Sequence, residues 1–372
     1  MIRPTVARVD LEAVRANFHA ISEFVAASGG ARPKIIAVVK ANAYGHGAVE
    51  VARALEDAGA AMLACADIEE GIVLRRGGVR VPILIFGALS VSDLEGIFTH
   101  GLTPTISTPS AARALQDGAE RHDLVLHCHL KIDTGMNRLG FRHDNLEHTI
   151  PEVAASRHLA IDAVYTHFAT ADNPEHPLFE EQRLRFEAAL MRMPELGVIT
   201  PVRHAANSAA LLRDERVWYD YVRPGLLLYG VVPPPLAAML DLRPALSLHS
   251  RIVAVKGVRI GEGTGYGMKT VVDRPTTVAV VPAGYADGLD LRLAGRGHML
   301  VRGRRAPIVG SVCMDMTMID VTGTDAAPGD EVVILGRQDD EMMDVREMAA
   351  AIGTIPYELL CRVGARIQRV YD

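Results

Sequence analysis

Along the first two thirds of the chain, short apolar runs alternate with stretches whose apolar residues recur at helical spacing. The runs fall at 34–40 (KIIAVVK), 62–67, 81–87, 102–107, 125–133, 159–168, 201–208 and 221–230. An uninterrupted run such as Ile35–Val39 predicts a strand buried on both faces, the kind that parallel sheets contain. Intervening stretches such as VEVARALEDAGA and EEQRLRFEAALMRM predict amphipathic helices. A strand-helix unit repeated eight times is the pattern of an α/β fold closed into a (β/α)₈ barrel of the TIM type. The runs 102–107 and 201–208 are weak as strands, so an open doubly wound sheet is the alternative. Near Pro233-Pro234-Pro235 the texture changes. From about Ala245, short runs (LHSRIVAVKGVRI, TTVAVVPAGY, MTMIDV, EVVILG) are joined by Gly- and Pro-rich turns, with one helix at 344–352. This predicts a smaller, mostly antiparallel β domain over 241–372, after a barrel over 1–240.

Polar residues take on meaning against this frame. Lys40 ends the first strand, at the end where parallel α/β folds carry their chemistry, and a desolvated lysine there can act as a nucleophile toward a carbonyl cofactor. Asp133 and Arg138 follow the fifth strand and His167 closes the sixth. Asn207 and Ser208 close the seventh, and Arg223 and Gly225 lie in the eighth. All eight strands of a barrel point their carboxyl ends at one rim, and the loops after the last two commonly hold phosphate through backbone amides. Singly, each has a plainer reading: Asn207-Ser208 as a helix cap, Arg223-Pro224-Gly225 as a turn, His167 as a satisfied barrel histidine. Convergence on one rim favours a site.

Composition narrows the class. The chain has 372 residues, 49% hydrophobic and 23% charged, with net charge −6 and no basic stripe, which argues against a nucleic-acid or membrane-surface partner. No apolar segment is long enough to span a bilayer and the N-terminus lacks a signal-peptide core, so a cytoplasmic location is expected. Cys65, Cys128, Cys313 and Cys361 are scattered without a C-x-x-C pair, so buried reduced thiols are expected and a disulfide framework is not. His127 and His129 have no third ligand nearby in sequence, so no metal is expected. Asp133-Thr134-Gly135 occurs once, where an aspartic-protease dyad needs two copies, and GEGTGYG fails the G-x-G-x-x-G pattern.

The segments AVVKANAYGHG (37–47), LKIDTGMNRLG (130–140), THFA (166–169), HAANS (204–208), RPGLLLYG (223–230), GTGYG (263–267), VPAGYADG (281–288), GSVCMDM (310–316) and IPYELL (355–360) together resemble the ordered motifs of the alanine racemase family. The resemblance runs over nearly the whole chain. It implies a barrel that binds pyridoxal 5′-phosphate and a β domain to which about the first ten residues add a strand. It also implies a head-to-tail homodimer with shared sites. Asn137 stands where the family commonly has glycine, and Gln368 where it has proline.

Residue by residue, Lys40 resembles the lysine that carries the cofactor and serves as one base, and Tyr266 the opposite base, donated by the partner. Arg223 resembles the group facing the pyridine nitrogen, with His167 behind it. Tyr44, Ser208, Gly225, Leu226 and Tyr357, with Asn207, resemble the cofactor-binding set. Arg138 and the Met314 amide resemble the receptors of the substrate carboxylate, supported by Cys313 and Asp315. Tyr285, Met314 and Tyr357 resemble the residues that narrow the entrance, which implies a substrate as small as alanine; a broad-specificity racemase is the alternative. Lys131 is either a buried cation paired with Asp133 or, as the resemblance implies, a carbamylated lysine that orients Arg138. The expected activity is interconversion of L- and D-alanine for peptidoglycan.

Overall fold

The structure is a computed structural model describing residues 3–27, 32–89, 93–199, 202–236, 239–268 and 270–372. The chain forms two compact units. One comprises Val14–Ala43 with Ala48–Leu242; the other comprises the chain up to Ala13, Tyr44–Gly47 and Arg243–Asp372.

Strand β1 (Val6–Val9) belongs to the second unit. The first unit is built on eight strands: β2 (Lys34–Val38), β3 (Met62–Cys65), β4 (Ile83–Ile85), β5 (Thr103–Ile106), β6 (Leu126–Asp133), β7 (Leu159–Tyr165), β8 (Val202–Asn207) and β9 (Tyr221–Arg223). Each pairs in parallel with the next, and β9 pairs back onto β2, so the sheet closes. The closed ring is the expected barrel and excludes the open sheet. Residue Pro201 of the weak run 201–208 lies outside the described residues.

Closure explains why the strands read as continuous apolar runs. The barrel interior covers one face and the helices the other, so Ile35, Ile36, Ala37, Val38 and Val39 are all buried. The run 221–230 needs correction. Only Tyr221–Arg223 is extended; Leu226–Tyr229 is a buried 3₁₀ turn ended by Gly230 at φ 78°. Tyr229 Oη donates to the Val38 carbonyl at 2.9 Å, tying this turn to β2.

In the second unit, β1 lies between Leu246–Arg251, to which it is antiparallel, and Gln368–Tyr371, to which it is parallel. The other strand pairs of this sheet are antiparallel. The run LHSRIVAVKGVRI is two strands, Leu246–Arg251 and Ala254–Val258, bonded to different neighbours. The expected helix is present as Val345–Ile352, and a second helix, Pro356–Cys361, follows it.

Cys65 and Cys128 are buried, and desolvation first of all pushes both thiols far up. The expectation of buried thiols does not extend to Cys313, which is half-buried, or to Cys361, which is exposed. Among the described residues no helix is long and apolar enough to cross a membrane, and no cluster has the makings of a metal site.

The bond from Tyr229 yields a stability test. Tyr229→Phe keeps the ring but removes a buried donor, and should cost about 1–3 kcal/mol in denaturant unfolding. An unchanged midpoint would show that the hydroxyl contributes nothing.

Candidate active site

Because the barrel strands are parallel, their carboxyl ends deliver side chains to one rim. Lys40 follows β2 by two residues and opens an unusual turn. Ala41, Asn42 and Ala43 adopt φ/ψ of 53°/51°, 53°/48° and 53°/51°, and Tyr44 continues at φ 51°. Left-handed backbone costs a non-glycine residue about 1–2 kcal/mol, so four in succession form a concentrated store of strain directly after this lysine.

Arg223 ends β9 and is almost fully buried. Its Nη2 donates to the carbonyls of Thr166 (2.8 Å) and Ala205 (2.9 Å) and stands 3.3 Å from His167 Nδ1. Its Nη1 donates to His204 Nδ1 at 2.7 Å. A guanidinium has no acceptor, so Nδ1 of His204 must present a lone pair and the ring proton sits on Nε2. That Nε2 lies 3.0 Å from His129 Nδ1, which accepts in turn and leaves the His129 proton on its own Nε2. One fixed cation thereby sets two tautomers in series.

Burial first, and the charge of Arg223 next, hold His204 and His167 well below the ordinary histidine value. Burial lowers His129 to about 4, with Asp162 opposing and Arg223 assisting. Desolvation lowers Arg223 itself to about 10, so it stays charged near neutrality. Tyr165 stacks on His204 with centroids 4.5 Å apart, under Arg223 at 5.2 Å and Lys131 at 5.6 Å. Its hydroxyl meets Thr105 at 3.0 Å, and burial pushes it up to about 12.

Lys131, buried on β6, is lowered to about 8 by desolvation first, then by the charges of Arg138 and Arg223, with Lys40 adding to them against Asp133. Asp133 directs Oδ1 to the amides of Gly135 (3.0 Å) and Asn137 (3.1 Å). It thus closes the turn leading to Arg138. Asn137 sits at φ 54°, a conformation asparagine tolerates better than most residues, which accounts for its standing at a glycine-like position. Asn207 caps the helix Ser208–Arg213 by accepting from the Ala210 amide at 2.9 Å. Ser208 Oγ accepts from the Gly225 amide at 2.8 Å, joining the ends of β8 and β9 just before Leu226.

The remaining expected residues belong to the second unit. Tyr266 stands in the turn between Gly263–Thr264 and Thr270–Val271 and is 77% exposed. With Cys313, Met314 and Asp315 it lines a cavity of about 710 Å³ whose walls also include Val258, Met316 and Met318. Tyr285 stands on an adjoining turn, its amide donating to the Cys313 carbonyl (2.9 Å) and that of Ala286 to the Met314 carbonyl (3.1 Å). Gly284 permits this approach, because a Cβ there would lie 2.2 Å from the Cys313 oxygen. Asp315 is held by Arg366 at 2.8 Å. The rings of Tyr44 and Tyr357 lie 5.9 Å apart.

One unit therefore carries Lys40, Lys131, Arg138, His167, Asn207, Ser208, Arg223, Gly225 and Leu226. The other carries Tyr44, Tyr266, Tyr285, Cys313, Met314, Asp315 and Tyr357. The sequence reading did not assign His204 or Tyr165, although alternation along β7 and β8 marks both as inward-facing.

Two family models match in succession, "Alanine racemase, N-terminal domain" over residues 9–233 and "Alanine racemase, C-terminal domain" over 245–371. The chain is similar to an alanine racemase of Carboxydothermus hydrogenoformans, 43% identical with all of both chains covered. It is also similar to one of Symbiobacterium thermophilum, 41% identical over all of this chain and 97% of that one. Among solved structures, alanine racemase from a D-cycloserine-producing Streptomyces lavendulae superposes with a TM-score of 0.95 at 36% identity, covering 100% of this chain and 98% of that one. The Bacillus anthracis enzyme with bound L-Ala-P gives 0.92 at 35%, covering 100% and 96%.

The neutral histidines make stability pH-dependent. With a folded pKa near 4 against a model value of 6.5, His129 takes up a proton in the unfolded chain before the folded one can. Its contribution is complete above the unfolded value and is lost as pH falls toward 4, amounting to about 3 kcal/mol at most. Urea midpoints measured across that window should fall less steeply for His129→Gln than for wild type; identical slopes would contradict the assignment.

Proposed function

Because the chain belongs to the alanine racemase family across both of its units, we propose that it interconverts L- and D-alanine with Lys40 and Tyr266 as bases on opposite faces of the substrate. The family depends on pyridoxal 5′-phosphate. The observation that carries the reading is the charge of the barrel rim, where Lys40, Lys131, Arg138 and Arg223 all act on His167. A site with that many cations fits an anionic cofactor and a carboxylate substrate. Ser208, Gly225 and Leu226, at the joined ends of β8 and β9, are the residues that would receive a phosphate group. Tyr44 and Tyr357 would complete that set, with Asn207 and His167 supporting it.

When bound, pyridoxal phosphate acidifies the α-hydrogen of an amino acid by conjugation with the substrate's amine. The chain's part is to place bases and control charge. Inversion at carbon needs a proton removed from one face and another delivered to the opposite face, hence two bases. Arg223, fixed by two carbonyls and a histidine lone pair, can only donate. Set against the ring nitrogen of a bound cofactor, such a donor would disfavour its protonation, which would weaken electron withdrawal and favour simple proton return over side reactions. Arg138 and the Met314 amide receive the carboxylate, with Asp315 and Cys313 shaping the Met314 loop and Tyr285 narrowing the approach.

Tyr266 reaches its substrate in a homodimer, each copy completing the other's site. Support comes from the exposure of Tyr266, Met268, Val271, Met314 and Met316, an apolar surface of the kind a partner covers. Lys131 is the carbamylation site of this reading. Its amine, lowered to about 8, adds carbon dioxide with loss of a proton, replacing a buried cation by an acceptor for Arg138. The role is cytoplasmic supply of D-alanine for peptidoglycan.

Tyr266→Phe should slow α-proton exchange from one enantiomer about 10²–10⁴-fold and spare the other, measured by solvent deuterium incorporation. Equal loss from both would refute the two-face assignment. Co-expressed Lys40→Ala and Tyr266→Phe chains, each unable to racemise alone, should regain about a quarter of wild-type racemising sites if statistical dimers share residues. No recovery in isolated heterodimers would exclude shared sites. Turnover of alanine should exceed that of serine and lysine, and a preference for lysine would overturn the pocket assignment.

A further inference from the structure

We infer that Glu70 is a positioning residue for Lys40, acting through the Ala41 amide; the inference rests on the reading of Lys40 as the cofactor-bearing base. Glu70 lies in the helix Ile68–Arg76, whose N-cap Asp67 accepts from the Glu70 amide at 2.9 Å. The spacing Asp67-x-x-Glu70 is that of a capping box, in which the acidic side chain turns back to the cap's own amide. Here it does something else. Glu70 Oε2 accepts from Ala66 N–H at 2.8 Å, and Oε1 reaches across to Ala41 N–H at 2.6 Å. One carboxylate thus ties the segment after β3 to the first residue of the left-handed turn.

Two other residues of that turn are held locally: Ala43 N–H donates to the Val39 carbonyl (2.8 Å), and Asn42 Oδ1 accepts from Ala48 N–H (2.8 Å). Ala41, by contrast, is held by a side chain from a separate element. Its N–H shares a rigid peptide plane with the Lys40 carbonyl, so fixing that N–H fixes ψ of Lys40 and the direction in which its side chain leaves the rim. Strained backbone persists only where its surroundings over-determine it. Without the carboxylate, Ala41 can relax toward the right-handed region and swing the lysine away from its working position.

The test compares Glu70→Ala and Glu70→Gln with Asp67→Ala, which uncaps the same helix but leaves the turn's anchor in place. Cofactor affinity is read by titrating apoprotein with pyridoxal phosphate and following visible absorbance. The peptide spanning residues 39–47 is followed by hydrogen exchange, and kcat and KM by racemisation. Glu70→Ala should weaken cofactor binding and lower kcat by about ten- to a hundredfold, as a displaced reacting group does, and speed exchange in that peptide. Glu70→Gln, with one oxygen left to accept, should fall between, and it decides the matter if Glu70→Ala does not fold. Asp67→Ala should lower thermal stability yet keep cofactor affinity and kcat near wild type. Glu70 variants that match Asp67→Ala in cofactor affinity and kcat would overturn the inference. Failure of wild type itself to take the cofactor at Lys40 would instead overturn the functional reading beneath it.

Discussion

A guanidinium buried at the mouth of a barrel can only donate, and the site is arranged around that restriction. Arg223 needs acceptors on every side, and the chain supplies two carbonyls from β-strand ends and a lone pair on His204. Those acceptors exist because β7, β8 and β9 are adjacent, with a register shift between Tyr221 and Arg223, so the requirement of one side chain constrains three strands. Burial first, and this charge next, keep the neighbouring histidines neutral, and the charge adds to burial and Arg138 in lowering the amine of Lys131. Remove the cation and the tautomers, the lysine and the stacked Tyr165 would all lose their common reference.

Strain and satisfaction sit side by side at the rim. The turn after Lys40 holds non-glycine residues in a left-handed conformation, while the groups around it are hydrogen-bonded with ordinary geometry. The strained turn persists because its surroundings over-determine it, and the adjoining parallel strands supply rigidity against relaxation.

Much of this was legible in the sequence. A strand covered on both faces writes an unbroken apolar run, so the eight barrel strands could be counted, and parallel order then placed Lys40, His167, Asn207 and Arg223 at one end. The same signal misled at 221–230, because a fully buried 3₁₀ turn is as apolar as a buried strand; Gly225 and Gly230 were the marks of the change. Pro356 at the start of a helix was a readable signal for Pro356–Cys361. The left-handed turn was not readable: Ala-Asn-Ala-Tyr contains no glycine, and the carboxylate that anchors Ala41 comes from Glu70, 29 residues away. Nor was the relay from Arg223 to His129, since His129 and His204 are separated by 75 residues and meet only through strand register.

The strand near the amino terminus and the strand near the carboxyl terminus lie side by side in one sheet, with the barrel threaded between them along the chain. During synthesis, Val6–Val9 emerges well before Gln368–Tyr371 and waits for it before its second edge is covered. The barrel, complete by Tyr229, has no such wait. Vectorial translation therefore imposes an order of events: the barrel ring can close while the strand that seals this seam is still unmade.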